Sequence, residues 1–186
     1  KSPPGKYLVT LIKNGVKKSQ PFKILIDPRS EVSVEEIQKQ LNFVNEVNKV
    51  VDQAHKAIKQ IREINIKLKE FETNFKSSSS LTDLISTSKK IRNKLSEVEK
   101  NLYQTQNKSN QDPLNFPIKL TNKLGHLNRL VTLNDFAPTD QDDEVRIELT
   151  NKVEKELKIF KSLIDNEVKK FNQEFAKLKL DYLKIN

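Results

Sequence analysis

At 186 residues the chain can bury one apolar core but cannot hold two domains of ordinary size. With 3 Gly, 7 Pro, 32% charged and 35% apolar residues, it has the profile of long amphipathic helices with a solvated face. The absence of Cys excludes disulfides, thiolate metal sites and a cysteine nucleophile, and no apolar run approaches the ~20 residues a membrane span needs.

The chain opens with two runs of strand character. Tyr7, Leu8, Val9, Thr10, Leu11 and Ile12 are β-branched or apolar, and residues 22–26 alternate in the same way. Asn14-Gly15 lies between them, a pair that readily takes the positive φ values of a tight hairpin turn. The reading is a two-stranded hairpin closed off by Asp27-Pro28-Arg29, since proline cannot donate to a ladder. Two strands alone are marginal in water. The hairpin is therefore expected to pack on the helices, to dimerise, or to complete a sheet whose other strands precede Lys1.

Ser33 with Glu36 has the pattern of a capping box opening a first helix. From Val34 the apolar residues Ile37, Leu41, Val44, Val47, Val51, Ala54, Ile58, Ile61, Ile64, Leu68, Phe71 and Phe75 follow in steps of three or four. That spacing keeps one face apolar for about eleven turns, roughly 60 Å. Ser77 to Ser80 is a polar break with a serine available as the next cap. A second stripe runs through Leu84, Ser88, Ile91, Leu95, Val98 and Leu102. Pro113 and Pro117 set the third helix to begin near Pro117, a first-turn position where proline is tolerated, and Ile118, Leu120, Leu124, Leu127, Leu130 and Val131 form its face. Thr139 caps the fourth, with Asp140, Asp142, Asp143 and Glu144 set against the positive end of its dipole. Its stripe is Val145, Leu149, Val153, Leu157, Phe160, Ile164, Val168, Phe171, Phe175 and Leu178.

These segments predict a mainly α fold: an up-and-down four-helix bundle of long amphipathic helices, preceded by the short hairpin. Residues 1–29 form the hairpin, and 30–186 the bundle, with helices at about 33–75, 81–106, 117–133 and 139–182. No fixed-period repeat points to a solenoid.

Candidate chemistry is sparse. His55 and His126 stand in no metal-ligand or triad-like motif and read as surface or boundary histidines. The acidic run Asp140 to Glu144 lacks the glycine of a calcium loop, and capping explains it with fewer assumptions. Neither histidine follows a glutamate by three residues, so the di-iron bundle motif is missing, as are glycine-rich phosphate loops and the Gly-x-Ser-x-Gly elbow. Phe71, Phe75, Phe160, Phe171 and Phe175 read as core rather than as a stacking platform. Tyr7, Tyr103 and Tyr182 are too dispersed for a carbohydrate-binding face. No catalytic, cofactor-binding or metal-ligating residue is assigned, and no cofactor is expected.

The formal charge is +9, from 34 Lys and Arg against 25 Asp and Glu. Only Arg29, Arg62, Arg92, Arg129 and Arg146 are arginines, whereas phosphate readers concentrate Arg beside aromatics. The lysines alternate with acids as on a solvated surface, so nucleic acid is not the expected partner. A Lys-rich module binding polyanions stands as the second hypothesis.

Several short stretches carry a resemblance. Pro4-Gly5-Lys6-Tyr7-Leu8-Val9-Thr10-Leu11, Asn14-Gly15, Gln20-Pro21-Phe22 and Asp27-Pro28-Arg29 resemble the closing strands of the small β-sandwich that follows the β-propeller in secreted bacterial BNR (Asp-box) repeat proteins. These are distantly similar to sortilin-type propellers. Leu114-Asn115-Phe116-Pro117-Ile118-Lys119-Leu120, Asn122-Lys123-Leu124 and Ala137-Pro138-Thr139 resemble the C-terminal helical region of the same proteins. The resemblance implies a location outside the cytoplasm, extracellular, periplasmic or at the cell surface, and partners in an upstream propeller and sandwich of the same parent chain. Such parents are often labelled glycosyl hydrolases; any such chemistry would lie in the propeller, so no catalytic residue carries over. With no Met and no leader in the first 30 residues, the sequence reads as a fragment or processed form opening mid-chain. The leading expectation is a non-catalytic structural or protein-interaction module, with a homodimer left open. An accessory role in a glycosidase-like parent is the third hypothesis, for which the chain offers no paired inward carboxylates.

Overall fold

Local sequence signals decide most element boundaries in the computed structural model, which describes residues 2–178. β1 (Gly5–Lys13) and β2 (Val16–Ile24) pair antiparallel, with Lys13 opposite Val16 and Gly5 opposite Ile24. Asn14 and Gly15 both take positive φ, 50° and 79°, as a type I′ turn requires. The second strand thus begins six residues earlier than its apolar alternation suggests and ends before Leu25. Hydrogen bonding to β1, not side-chain character, carries Val16 to Pro21 into the ladder. The chain then bends at Asp27, whose carboxylate accepts bonds from the Arg29 guanidinium and backbone N–H and is held below the usual carboxylate range by them.

α1 (Val34–Asn74) opens on the expected capping box. Ser33 Oγ accepts from the Glu36 N–H, and the Glu36 carboxylate accepts from the Ser33 N–H at 2.8 Å. A short 3₁₀ turn, Ser79–Leu81, leads into α2 (Thr82–Leu102), whose start carries no side-chain cap bond, contrary to the serine cap expected there. α2 also stops at Leu102 rather than near 106. Tyr103 is extended, Gln104 is buried with its amide donating to the Pro117 carbonyl at 2.8 Å, and Thr121 Oγ1 donates to the Leu102 carbonyl at 2.9 Å. These bonds satisfy the helix end and leave Pro117 in an extended linker, so α3 (Leu120–Val131) begins three residues after it. α4 (Asp140–Ser162) has its own capping box between Thr139 and Asp142. It runs through a π-helical segment, Leu163–Val168, into α5 (Lys169–Lys177). The predicted helix end at 182, and Tyr182 with it, lie outside the described residues.

Among the described residues the protein is thus mainly helical: four helices, the last carrying the π turn, and an N-terminal two-stranded hairpin. Side-chain pairs fix their directions. Arg62 meets Glu99 and Glu72 meets Arg92, so α2 runs antiparallel to α1 along its second half. Asn48 meets Asn128 and Gln40 reaches Val131, so α3 covers the first half in the same direction as α2. Arg146 meets Glu46, and Phe171 packs on Phe71, so the rod from Asp140 to Lys177 runs parallel to α1. α2 and α3 therefore succeed one another as a single return leg instead of standing side by side.

One core joins all the helices through Phe43, Val47, Ala54, Ile61, Leu68 and Phe71 of α1, Ile91, Leu95 and Leu102 of α2, Leu124 and Val131 of α3, and Val153, Phe160 and Phe171 of the last rod. At the start of α1 the buried face is Gln40, Phe43 and Val47, while Val34 is exposed and Ile37, Leu41 and Val44 are only half-buried. The stripe read from the sequence there is a second apolar face. It lines a crevice of about 200 Å³ with Ile24, Leu25 and Ile26 at the base of the hairpin. Gln40 secures this end, its side-chain amide donating to the carbonyls of Val131, Asn134 and Phe136 at 2.9 to 3.0 Å.

The π segment answers a fault in the last stripe. Val145, Leu149, Val153 and Leu157 advance by four, overshooting the 3.6-residue turn each time, so the apolar face drifts around the rod. A π turn spreads more residues over one turn and swings the face back. Phe171, beyond the segment, is buried on the same core as Phe160 and Leu163.

Candidate functional site: the N-terminal hairpin

Among the described residues, the part of the molecule least satisfied by its own contacts is the hairpin. The two-residue side-chain period puts Tyr7, Val9 and Leu11 on one face with Val16, Phe22 and Ile24, where the Tyr7 and Phe22 rings lie 5.7 Å apart and Lys13, Lys18 and Gln20 complete the face toward the turn. The opposite face carries Leu8, Ile12 and Pro21 among Lys6, Lys17 and Lys23, with a Thr10 to Ser19 hydroxyl bond of 2.8 Å. Apart from Ile24 at the base, which shares the crevice with α1, neither strand lies against a helix. Leu8, Val9, Leu11 and Ile12 are accordingly 57 to 68% exposed, and Phe22 is 47% exposed. Each such side chain forgoes roughly 1.5–3 kcal/mol of burial. Apolar side chains exposed on both faces of one small sheet point to an interaction site.

Of the three arrangements expected for the hairpin, packing on the helices is thus not the one adopted. The apolar face, both strand edges and a uniformly basic rim remain available. From Ser2 to Ile26 the chain has five lysines and no Asp or Glu.

The residues weighed for chemistry are spread apart. His55 is exposed and meets Tyr103 edge-on at 6.3 Å, and His126 is exposed on α3. Of the acidic run, Asp142 accepts from the Thr139 N–H and hydroxyl, and Asp143 pairs with Arg146. Phe71, Phe160 and Phe171 are buried, whereas Phe75 is half-buried and Phe175 is 38% exposed at the rim of the cluster they form with Phe71. Among the described residues no group of three or more His, Cys, Asp or Glu is placed to hold a metal, and no helix is long and apolar enough to cross a membrane.

Four of the five arginines are paired within the molecule. Arg29 pairs with Asp27, Arg62 with the nearly buried Glu99 at 2.6 Å, Arg92 with Glu72, and Arg146 with Glu46 and Asp143. Arg62 also stacks over Tyr103 at 5.6 Å. A basic groove between α3 and α4 is lined by Lys119, Lys123, Lys152 and Lys155, but Lys152 binds Glu148 and Glu156 shares the lining. Sequence reading missed the Arg62, Glu99 and Tyr103 cluster, because partners 37 and more residues apart leave no local pattern.

Comparison of the chain with protein-family models, with curated proteins and with solved structures gives no match.

Proposed function

We propose that this chain is a non-catalytic interaction module, a helical bundle with one core in which α2 and α3 share the return leg, that uses its hairpin to join β-structure lying outside residues 2–178. The observation that carries the reading is a two-stranded sheet whose apolar face no helix covers, attached to a bundle whose own core is complete. The resemblance to the closing strands of the sandwich in secreted BNR-repeat proteins supports the same reading, with the parent's sandwich and propeller as partners and a place outside the cytoplasm. Paired arginines and dispersed histidines favour it over a catalytic or phosphate-reading role.

Amide hydrogen exchange tests it. Hairpin amides are expected to exchange freely in this chain and to slow by about a hundredfold in the chain extended upstream by its natural residues. Equal exchange in both would falsify the reading.

A further inference from the structure

The hairpin offers two edges, and they are not equivalent. In a type I′ hairpin the residues flanking the turn, Lys13 and Val16, exchange both backbone bonds, and inward and outward groups alternate from there. The N–H groups of Lys6, Leu8, Thr10 and Ile12 therefore point to the free edge of β1. On β2 the outward positions are Lys17, Ser19, Pro21 and Lys23, and Pro21 has no N–H to give. The outer row of β2 is broken at its third position, while that of β1 is unbroken.

Charge narrows the occupant. The five lysines of Ser2 to Ile26 have no acidic neighbour within the hairpin, so a second copy would set lysines against lysines. We propose that the free edge of β1 receives an extended partner strand with apolar residues on the Tyr7, Val9 and Leu11 face and carboxylates on the face of Lys6, Lys17 and Lys23. This rests on reading the hairpin as the module's contact surface. The strand adds main-chain bonds to Lys6, Leu8, Thr10 and Ile12 and widens the apolar face.

The full chain has no Cys, so Ser2→Cys gives a single attachment point for a probe peptide. The probe is acetyl-Glu-Val-Glu-Val-Glu-Val-Gly-Ser-Gly-Cys, joined by a disulfide that keeps its effective concentration near millimolar. Amide exchange at Lys6, Leu8, Thr10 and Ile12 is expected to slow by about tenfold or more, with Lys17, Ser19 and Lys23 unchanged. Leu8→Pro removes one outward N–H opposite Pro21 without touching the ladder, and is expected to abolish the protection of the other three. Its hairpin is checked through the Tyr7 to Phe22 ring contact, and Pro21→Val, which leaves the β1 edge whole, is expected to retain the effect. Protection on the β2 edge, equal protection by a peptide with Lys in place of Glu, no protection at all, or self-association of the untethered chain through the same four amides each overturns the inference. A hairpin protected in the longer protein whose β1 edge takes no probe sinks this inference alone. One unprotected in both sinks the reading beneath it.

Discussion

Gln40 is a polar residue buried at a position where the sequence pattern offers no reason for it. Its two amide hydrogens serve three carbonyls, those of Val131, Asn134 and Phe136, and so close the end of α3 and the turn into α4. Gln40→Leu keeps the volume but strands those carbonyls in a partly buried corner, and is expected to destabilise the protein by about 2 kcal/mol. Denaturant unfolding measures it, and a loss near zero would mean that water takes over the carbonyls. Capping residues are the opposite case. Ser33 with Glu36, and Thr139 as a cap, were legible because each acts within four residues, although the reciprocal bond from Asp142 was read only as charge at the helix start. Asn14-Gly15 was legible for the same reason. Gln40 joins residues 91 to 96 positions away, and no local signal carries that distance.

Among the elements, the helix stripes were readable where a rod has one apolar face and misleading where it has two. Near the start of α1, Ile37, Leu41 and Val44 continue the spacing, yet the core takes Gln40 and Phe43 there and joins the stripe only from Val47. Periodicity ranks faces by hydrophobicity and cannot know that the base of the hairpin occupies the second one. The prolines correctly announced a break between α2 and α3 but not the direction of the chain after it. That direction depends on Gln104 and Thr121 finding Pro117 and Leu102 across the linker. The π segment yields a test at this scale. Deleting Asp165 removes the residue that the π turn absorbs, and is expected to give a plain α-helix that keeps Phe171 against Phe71, with a Tm within a few degrees of the full chain. A Tm lowered by about ten degrees or more would contradict the account of the drifting stripe.

For the whole molecule, the candidate surface was only half legible. Strand character and the turn were visible in the sequence, but the absence of a covering helix was not, since coverage is a property of the assembled chain. Because the hairpin meets the bundle only through its base at Ile24 to Ile26, residues 30–186 are expected to fold without residues 1–29, with a helical circular-dichroism signal per residue at least as strong and a Tm lowered by only a few degrees for the lost cover over Ile37, Leu41 and Val44. A collapse of the helical signal on truncation would count against a bundle whose core is self-sufficient.

The hairpin's base sits at the first turns of α1, whereas the cluster of Phe71, Phe75, Phe171 and Phe175 gathers at its last. With 41 residues between those ends, α1 makes the bundle a strut of roughly 60 Å. Whatever grips the strands is held at that stand-off from the aromatic tip, so a tilt of a few degrees at the anchored end sweeps the tip through several ångströms.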